Sequence, residues 1–360
     1  MAQRRAGATT QTGSLPHRRT PSPRSTLAGD TPAACEAMAC WGYDNFGQAT
    51  APAGPFTQIS AGTWHTCGLR PDGTATCWGC NEDGQSTPSA GPFTQISAGG
   101  ATCGLRADGS ATCWSTVQNL PSMVPYEPTT PPTEIFTQIS VGCPAADPSG
   151  WYLRCGLRPD GSATCGSYPN GYRDPVPPTG PFNLISSGGG HACALRTDGS
   201  AACWGDNTYG QATPAPGPFT QISAGGDHVC ALRANGNAIC WGRNDHGEAT
   251  PPGGTFVQIS AGVSHTCALR ANHSAACWGD NSYGQSTPPA GTFTQISAGA
   301  LHTCALQADN SATCWGSNVH GQSTPAPGPF TQISACCGYT CGLRPDGFAN
   351  CWGGFVTADP

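Results

Sequence analysis

The chain has 360 residues, a formal net charge of −6 and fifteen basic residues, every one an arginine, a balance without the basic face of a nucleic-acid binder. Its 22 cysteines are too many for a reducing compartment unless they bind metal, and no apolar run is long enough for a transmembrane helix. Fifty glycines and 34 prolines would suggest disorder if they were scattered, but they fall at fixed offsets in a repeat.

Residues 1–34 are polar and hold five of the fifteen arginines. They lack the apolar stretch of a signal peptide and are expected to form a flexible tail rich in Arg, Pro, Ser and Thr. From Cys40 to Pro55 the chain reads C-W-G-Y-D-N-F-G-Q-A-T-A-P-A-G-P, the rear of a unit whose front is missing. The front follows at once: Phe-x-x-Ile-Ser occurs at Phe56, Phe93, Phe136, Phe182, Phe219, Phe256, Phe293 and Phe330. Five of the seven spacings are 37 residues and the others 43 and 46. Periods of this size belong to solenoids, propellers and arrays, in which neighbouring units share one core. A single domain over 35–355 is therefore expected, with 356–360 as a C-terminal end.

Each unit reads as three strands. In the copy beginning at Gly217, strand A is Phe219 to Ser223, apolar at both parities and so expected to be covered on both faces. Strand B is Val229 to Arg233 and strand C is Asn237 to Trp241. Between B and C stand R-P-D-G-T at 70–74 and its counterparts, three-residue hairpin loops closed by a left-handed residue. His273 and Asn310 replace Gly there in two units, both residue types that tolerate that conformation. The rest of the unit, x-N-x-x-G-Q-x-T-P-P-x-G, must cross the blade's length and could also supply a short outer strand, its Asn and Gln binding the crossing backbone.

The hairpin fixes a register. With Pro71, Asp72 and Gly73 as the loop, Arg70 faces Thr74 and Cys67 faces Cys77 at a non-hydrogen-bonded pair, where α-carbons lie about 4.5 Å apart. That suits a disulfide. The same ten-residue spacing joins Cys103 with Cys113, Cys155 with Cys165, Cys193 with Cys203, Cys230 with Cys240, Cys267 with Cys277, Cys304 with Cys314, and Cys341 with Cys351. Zinc sites bring two close-spaced pairs together, and Cys77-Trp78-Gly79-Cys80 is a single C-x-x-C with no second one to join it, so disulfides are preferred to metal. Cys35, Cys40, Cys80, Cys143, Cys336 and Cys337 stand outside the pattern; a bond from Cys40 to Cys336 or Cys337 would clamp a ring shut.

The string I-S-A-G-x-x-H-x-C-A-L-R-x-D-G-x-x-x-C-W-G-x-N-x-x-G-Q resembles the repeat of the regulator of chromosome condensation superfamily, over residues 40–353. The two cysteines per short repeat are similar to the extracellular crinkly-type receptor kinases of plants, and the 37-residue length to a secreted bacterial β-lactamase inhibitor. The resemblance implies an all-β fold, a β-propeller of three- to four-stranded antiparallel blades. Seven blades are usual in the family; eight complete sets are counted here. Family members exchange nucleotides on a small GTPase, inhibit enzymes, sense light or capture ligands, so the fold leaves function open.

His65, His191, His228, His265 and His302 occupy one column. A ring of blades about 10 Å apart cannot converge them on one ion, and each is read as bonding its own loop. Trp41, Trp78, Trp114, Trp204, Trp241, Trp278, Trp315 and Trp352 occupy another column, explained by blade packing. Symmetry breaks at three insertions, 115–134, 143–154 and 166–181, which begin on one face. Tyr126, Trp151, Tyr152, Arg154, Tyr168, Tyr172 and Arg173 gather there, residue types enriched in binding hot spots, and Trp64, Tyr43, Phe46, Tyr209 and Tyr283 are expected near the same rim. The reading is a secreted or cell-surface propeller that binds a protein or a glycan through this face, without cofactor, metal or nucleic acid. The alternatives are a polysaccharide-acting enzyme using Asp147, Asp174 or Glu127, a structural surface protein, and guanine-nucleotide exchange by family analogy.

Overall fold

The computed structural model describes residues 47, 50–63, 65–81, 84–114, 135–142, 152–168, 175–336 and 338–353. The chain divides into Met1–Met38 and Ala39–Pro360, and every described residue lies in the second unit. Blade 1 is β1 (Gln58–Ala61), β2 (His65–Leu69) and β3 (Ala75–Gly79); blade 2 is β4 (Gln95–Ala98), β5 (Thr102–Leu105) and β6 (Ala111–Trp114). Blade 3 is β7 (Gln138–Val141), β8 (Tyr152–Leu157) and β9 (Ala163–Tyr168); blade 4 is β10 (Phe182–Ser187), β11 (His191–Arg196) and β12 (Ala201–Gly205). Blade 5 is β13 (Gln221–Ala224), β14 (His228–Leu232) and β15 (Ala238–Gly242); blade 6 is β16 (Phe256–Ala261), β17 (His265–Arg270) and β18 (Ala275–Gly279). Blade 7 is β19 (Phe293–Ala298), β20 (His302–Gln307) and β21 (Ala312–Gly316); blade 8 is β22 (Gln332–Cys336), β23 (Tyr339–Leu343) and β24 (Ala349–Gly353). Each blade is a separate antiparallel meander, and there are eight such sheets among the described residues.

The hairpin between the second and third strands sets each blade. Arg70 N–H donates to Thr74 O (2.8 Å) and Gly73 N–H to Arg70 O (2.9 Å), and Gly73 adopts a φ of 82°. His273 and Asn310 take φ of 65° and 67° in the same place. Asp72 Oδ1 accepts the backbone N–H (2.9 Å) and hydroxyl (2.7 Å) of Thr74, bonds that hold its carboxyl below the usual carboxylate range. Outward from this turn, Cys67 faces Cys77 and the bond closes over a Cα–Cα distance of 4.1 Å; the other seven hairpins are bridged alike at 4.0 to 4.2 Å. Cys336 is disulfide-bonded as well; Cys35, Cys40, Cys143 and Cys337 lie outside the described residues.

Arginine at the hairpin base has a task that lysine cannot perform. Arg70 lays its planar guanidinium 4.9 Å from the centre of the Phe56 ring while Nε donates to Thr76 and Nη2 to the Ala53 carbonyl. Arg106, Arg196, Arg233 and Arg270 stack in the same way on Phe93, Phe182, Phe219 and Phe256. Each Phe also meets the Trp of its own repeat, with ring centroids 5.6 to 6.0 Å apart.

The apolar clusters lie in the seams between blades. Cys267 and Leu269 of blade 6 pack with Phe293, Ile296, Ala305 and Trp315 of blade 7, and Tyr339 and Leu343 of blade 8 pack with Phe56, Ile59 and Trp78 of blade 1. The last seam closes the ring. Among the described residues no strand is exchanged between the first and last blades; β1 docks against β22 and β23, with Phe56 N–H bonding to Gly347 O.

One expectation needs correction. The middle strands, not the first ones, are buried on both faces; β2 is buried throughout, whereas β1 alternates with Gln58 and Ser60 half-covered. The reason is that the first strand is the open edge of its blade, and its polar side chains satisfy the next blade's edge. Ala98 N–H donates to Ser60 Oγ (2.9 Å), and the same bond recurs at every seam, ending with Ala61 N–H to Ser334 Oγ (3.2 Å). Ile96 N–H likewise donates to Gln58 Oε1 (3.0 Å), whose Nε2 returns a bond to Ile96 O (3.2 Å). The crossing segment adds no outer strand among the described residues, which leaves each blade with three strands. It is tied by turns: Asn207 Oδ1 accepts Ala212 N–H, Gln211 Oε1 accepts Tyr209 N–H, and Gln211 O accepts the indole N–H of Trp241 in the next blade.

The seam between blades 4 and 5 departs in two places. Leu184 stands where the other blades have Gln, so Ile222 lacks that bond, and Val229 stands where blades 1, 2, 6, 7 and 8 have Thr. His191 is fully buried there with both ring nitrogens unpartnered. Val229→Thr restores the hydroxyl found opposite His65, His228, His265 and His302. It is expected to add about 1 kcal/mol to the unfolding free energy, read as a higher denaturant midpoint at unchanged slope. A lower midpoint would show that the valine's packing outweighs the missing bond.

Candidate ligand-binding face

Strand direction places the first-to-second-strand loops and the exits of the third strands at one end of every blade, and the hairpins at the other. The loop end surrounds the ring axis. There the glycine after each first strand approaches the next blade so closely that side chains are excluded. A Cβ on Gly62 would stand 2.5 Å from the Gly99 carbonyl oxygen, and Gly99, Gly142, Gly188, Gly225 and Gly262 are confined in the same manner. Cys336 holds that column in blade 8. Inside this collar Ser260, Ala261, Ser297, Ala298 and their counterparts from blades 3 to 8 line a cavity of about 210 Å³.

The histidine column lies just beneath, and its bonds differ from the sequence expectation. The ring does not serve its own loop. His228 Nε2 meets Thr266 Oγ1 of the next blade at 2.7 Å, and His65, His265 and His302 meet Thr102, Thr303 and Thr340 at 2.5 to 2.8 Å. Burial pushes these imidazoles far down, to about 3 for His65, His228 and His302 and about 4 for His191 and His265. A partner 37 or 38 residues away is legible only once the blades are set in a ring. In blade 8 Tyr339 takes the histidine's place and donates its hydroxyl to the His65 carbonyl of blade 1.

Around the mouth, the residue before the glycine of the crossing segment is exposed in blades 4, 5 and 6. Tyr209 of blade 4 and Tyr283 of blade 6 are 46% and 51% exposed; His246 of blade 5 is exposed between them. Arg243 links two blades, lying 5.1 Å from the Tyr209 ring centre and bonding Asp245 at 2.7 Å and Asp227 at 3.5 Å. Val319, 73% exposed, and Leu301 continue the apolar rim on blade 7, where Ser317 N–H bonds Leu301 O. Sequence reading found the tyrosines of this rim and missed Arg243, His246 and Val319, although they share the tyrosines' crossing segment and could have been aligned.

Of the insertion residues, Tyr152 and Tyr168 face each other in backbone register at the loop end of β8 and β9. Arg154 is half-buried in β8 opposite Gly166, at the position Thr66 holds in blade 1, a column that faces the preceding blade. Tyr126, Trp151, Tyr172 and Arg173 lie outside the described residues, as do Trp64, Tyr43, Phe46 and the carboxylates Glu127, Asp147 and Asp174.

The model of the Regulator of chromosome condensation (RCC1) repeat matches residues 56–85, 183–211, 219–248, 256–285 and 293–322. No curated protein matches the chain in sequence. Among solved structures, the ectodomain of the Physcomitrella patens receptor kinase CR4 is 23% identical with a TM-score of 0.53, covering 84% of this chain and 75% of its own. The CRINKLY WD40 ectodomain of the Arabidopsis thaliana receptor kinase ACR4 is 22% identical with a TM-score of 0.51, covering 86% and 99%. Prp20p of Saccharomyces cerevisiae, described together with its binding to Gsp1p and histones, is 14% identical with a TM-score of 0.55, covering 88% and 91%. Eight separate three-stranded blades and these shared folds agree: the chain is a disulfide-bridged β-propeller, five stretches of which match the regulator of chromosome condensation repeat.

Proposed function

We propose that the protein is an extracellular interaction propeller that holds a protein ligand against the loop end, across the Tyr209–Arg243–Tyr283 rim. The observation that carries this reading is the contrast between the two depths of that face. Beneath the surface, recurring polar side chains are engaged in the fold: His65, His228, His265 and His302 with Thr, Gln211 and Gln285 with Asp, and the indoles of Trp241, Trp278 and Trp315 with the crossing backbone. At the surface, large side chains of the kinds that anchor interfaces are left exposed. The hairpin disulfides and the ectodomain setting of two structural relatives support an oxidising, extracellular location. That location disfavours exchange on an intracellular GTPase.

The test is binding of an array of secreted and cell-surface proteins, with a glycan array beside it, to the full chain and to Tyr209→Ala and Tyr283→Ala variants. A captured protein whose affinity falls about 5- to 30-fold in each variant supports the reading, the size expected for truncating an aromatic anchor. Ligands held equally by all forms would move the site away from the rim. Capture of glycans alone would replace the protein ligand with a carbohydrate, and cleavage of that glycan would favour an enzyme.

A further inference from the structure

The chain contains one Asn-x-Ser/Thr triplet, Asn272-His273-Ser274, and it stands at the tip of the blade 6 hairpin. We propose that Asn272 is an acceptor for N-linked glycosylation, which would place a glycan on the face opposite the ligand-binding rim. This rests on the extracellular reading above.

The aligned hairpins show why this position alone qualifies. Six carry aspartate, at 72, 108, 160, 198, 309 and 346, and the seventh pairs Asn235 with Gly236 and Asn237, which supplies no hydroxyl. Only in blade 6 do an amide and a hydroxyl stand two residues apart. Asn272 is exposed, and its Oδ1 accepts both the backbone N–H (3.1 Å) and the hydroxyl (2.7 Å) of Ser274. With Oδ1 turned toward the chain, Nδ2 faces away from it and carries no hydrogen bond among the described residues. The middle residue leaves the amide uncovered, because the His273 ring folds back to Phe293 O at 3.2 Å. Such an Asx turn involves three consecutive residues, so the nascent chain can form it before the ring assembles.

The chemistry is a group transfer from a lipid-pyrophosphate-linked oligosaccharide. Asn272 Nδ2 forms a bond to the anomeric carbon of the first sugar, the bond from that carbon to the phosphate oxygen breaks, Nδ2 gives up a proton, and the lipid pyrophosphate leaves. The hydroxyl of Ser274, bonded to Oδ1, polarises the amide on the acceptor side. A glycan on this tip projects from the hairpin end and leaves the loop end clear.

The experiment expresses the full chain behind a secretion leader in a glycosylating eukaryotic host and reads total protein, secreted and retained, by intact and peptide mass before and after peptide-N-glycanase in heavy-oxygen water. One glycan is expected, with the isotope label at position 272 after release. Asn272→Asp, which installs the residue of six sister hairpins, and Ser274→Ala should each abolish it, while Ser274→Thr should keep it. Non-reducing mass analysis checks that every variant has closed its disulfides. Oxidised, secreted protein with a bare Asn272 peptide overturns the proposal and leaves the extracellular reading standing. Protein that passes through the same compartment with its hairpin thiols reduced overturns the extracellular reading instead.

Discussion

Acidification from pH 7 to pH 5 is expected to unfold the ring while its disulfides stay closed. Five histidines, His65, His191, His228, His265 and His302, are 0 to 1% exposed, and burial lowers them from 6.5 to about 3 or 4. A group depressed in this way binds protons more readily in the unfolded chain. Its contribution is therefore complete above pH 6.5 and is lost as pH falls toward 3 to 4. At pH 5 the difference is about 2 kcal/mol per histidine, so five together approach about 10 kcal/mol, comparable with the whole stability of a domain. Tryptophan fluorescence and near-ultraviolet dichroism across a pH series will show the transition. Hydrogen bonds hold the carboxyls of Asp72, Asp108, Asp160, Asp198 and Asp309 below the usual carboxylate range, so a midpoint that stays below pH 3.5 would mean that the histidines do not govern it. Val229→Thr, which gives His191 a partner for its neutral ring, should leave the transition in the same window.

Reduction at neutral pH is expected to have an effect at least as large. Each hairpin bridge closes a loop of about ten residues and contributes roughly 2 to 3 kcal/mol in the chain-entropy account, so eight exceed the net stability of an ordinary domain. Thiol titration alongside dichroism will follow it. The inner cysteines Cys67, Cys193, Cys230, Cys267, Cys304 and Cys341 are fully buried, so reduction should wait on local opening and run slowly in native buffer and quickly in mild denaturant. Replacing Cys267 and Cys277 together by serine should lower the unfolding free energy by about 2 to 3 kcal/mol. A fully reduced protein with unchanged dichroism would mean that the seams alone hold the ring.

The fold was legible because its determinants are local. The D-G turn fixes which residues face each other, the period-two count carries that register to the cysteines, and eight copies give the blades. What escaped were the bonds between copies. Thr-Gln-Ile-Ser in a strand reads as ordinary alternation, and nothing in one repeat shows that Gln58 and Ser60 complete the edge of β4. The histidine column was seen but its partner was not, since Thr102 is adjacent only around a ring. The candidate face was half legible: aromatic residues marked Tyr209 and Tyr283, while Arg243 drew no attention because its role depends on Tyr209 and Asp227 of neighbouring segments. The insertions were marked by their break from the repeat, and their chemistry rests on residues outside the described ones.

The seam pairs also preserve a history. His on one blade meets Thr on the next, and Leu153 meets the small Ala192 at the equivalent point between blades 3 and 4. Copying a whole repeat carries both halves of such a pair and leaves each junction matched, which is how a chain can lengthen by duplication without losing its ring. A later change in one half leaves a mismatch. His191 against Val229 is such a mismatch, a buried ring facing a methyl group where its counterparts face a hydroxyl.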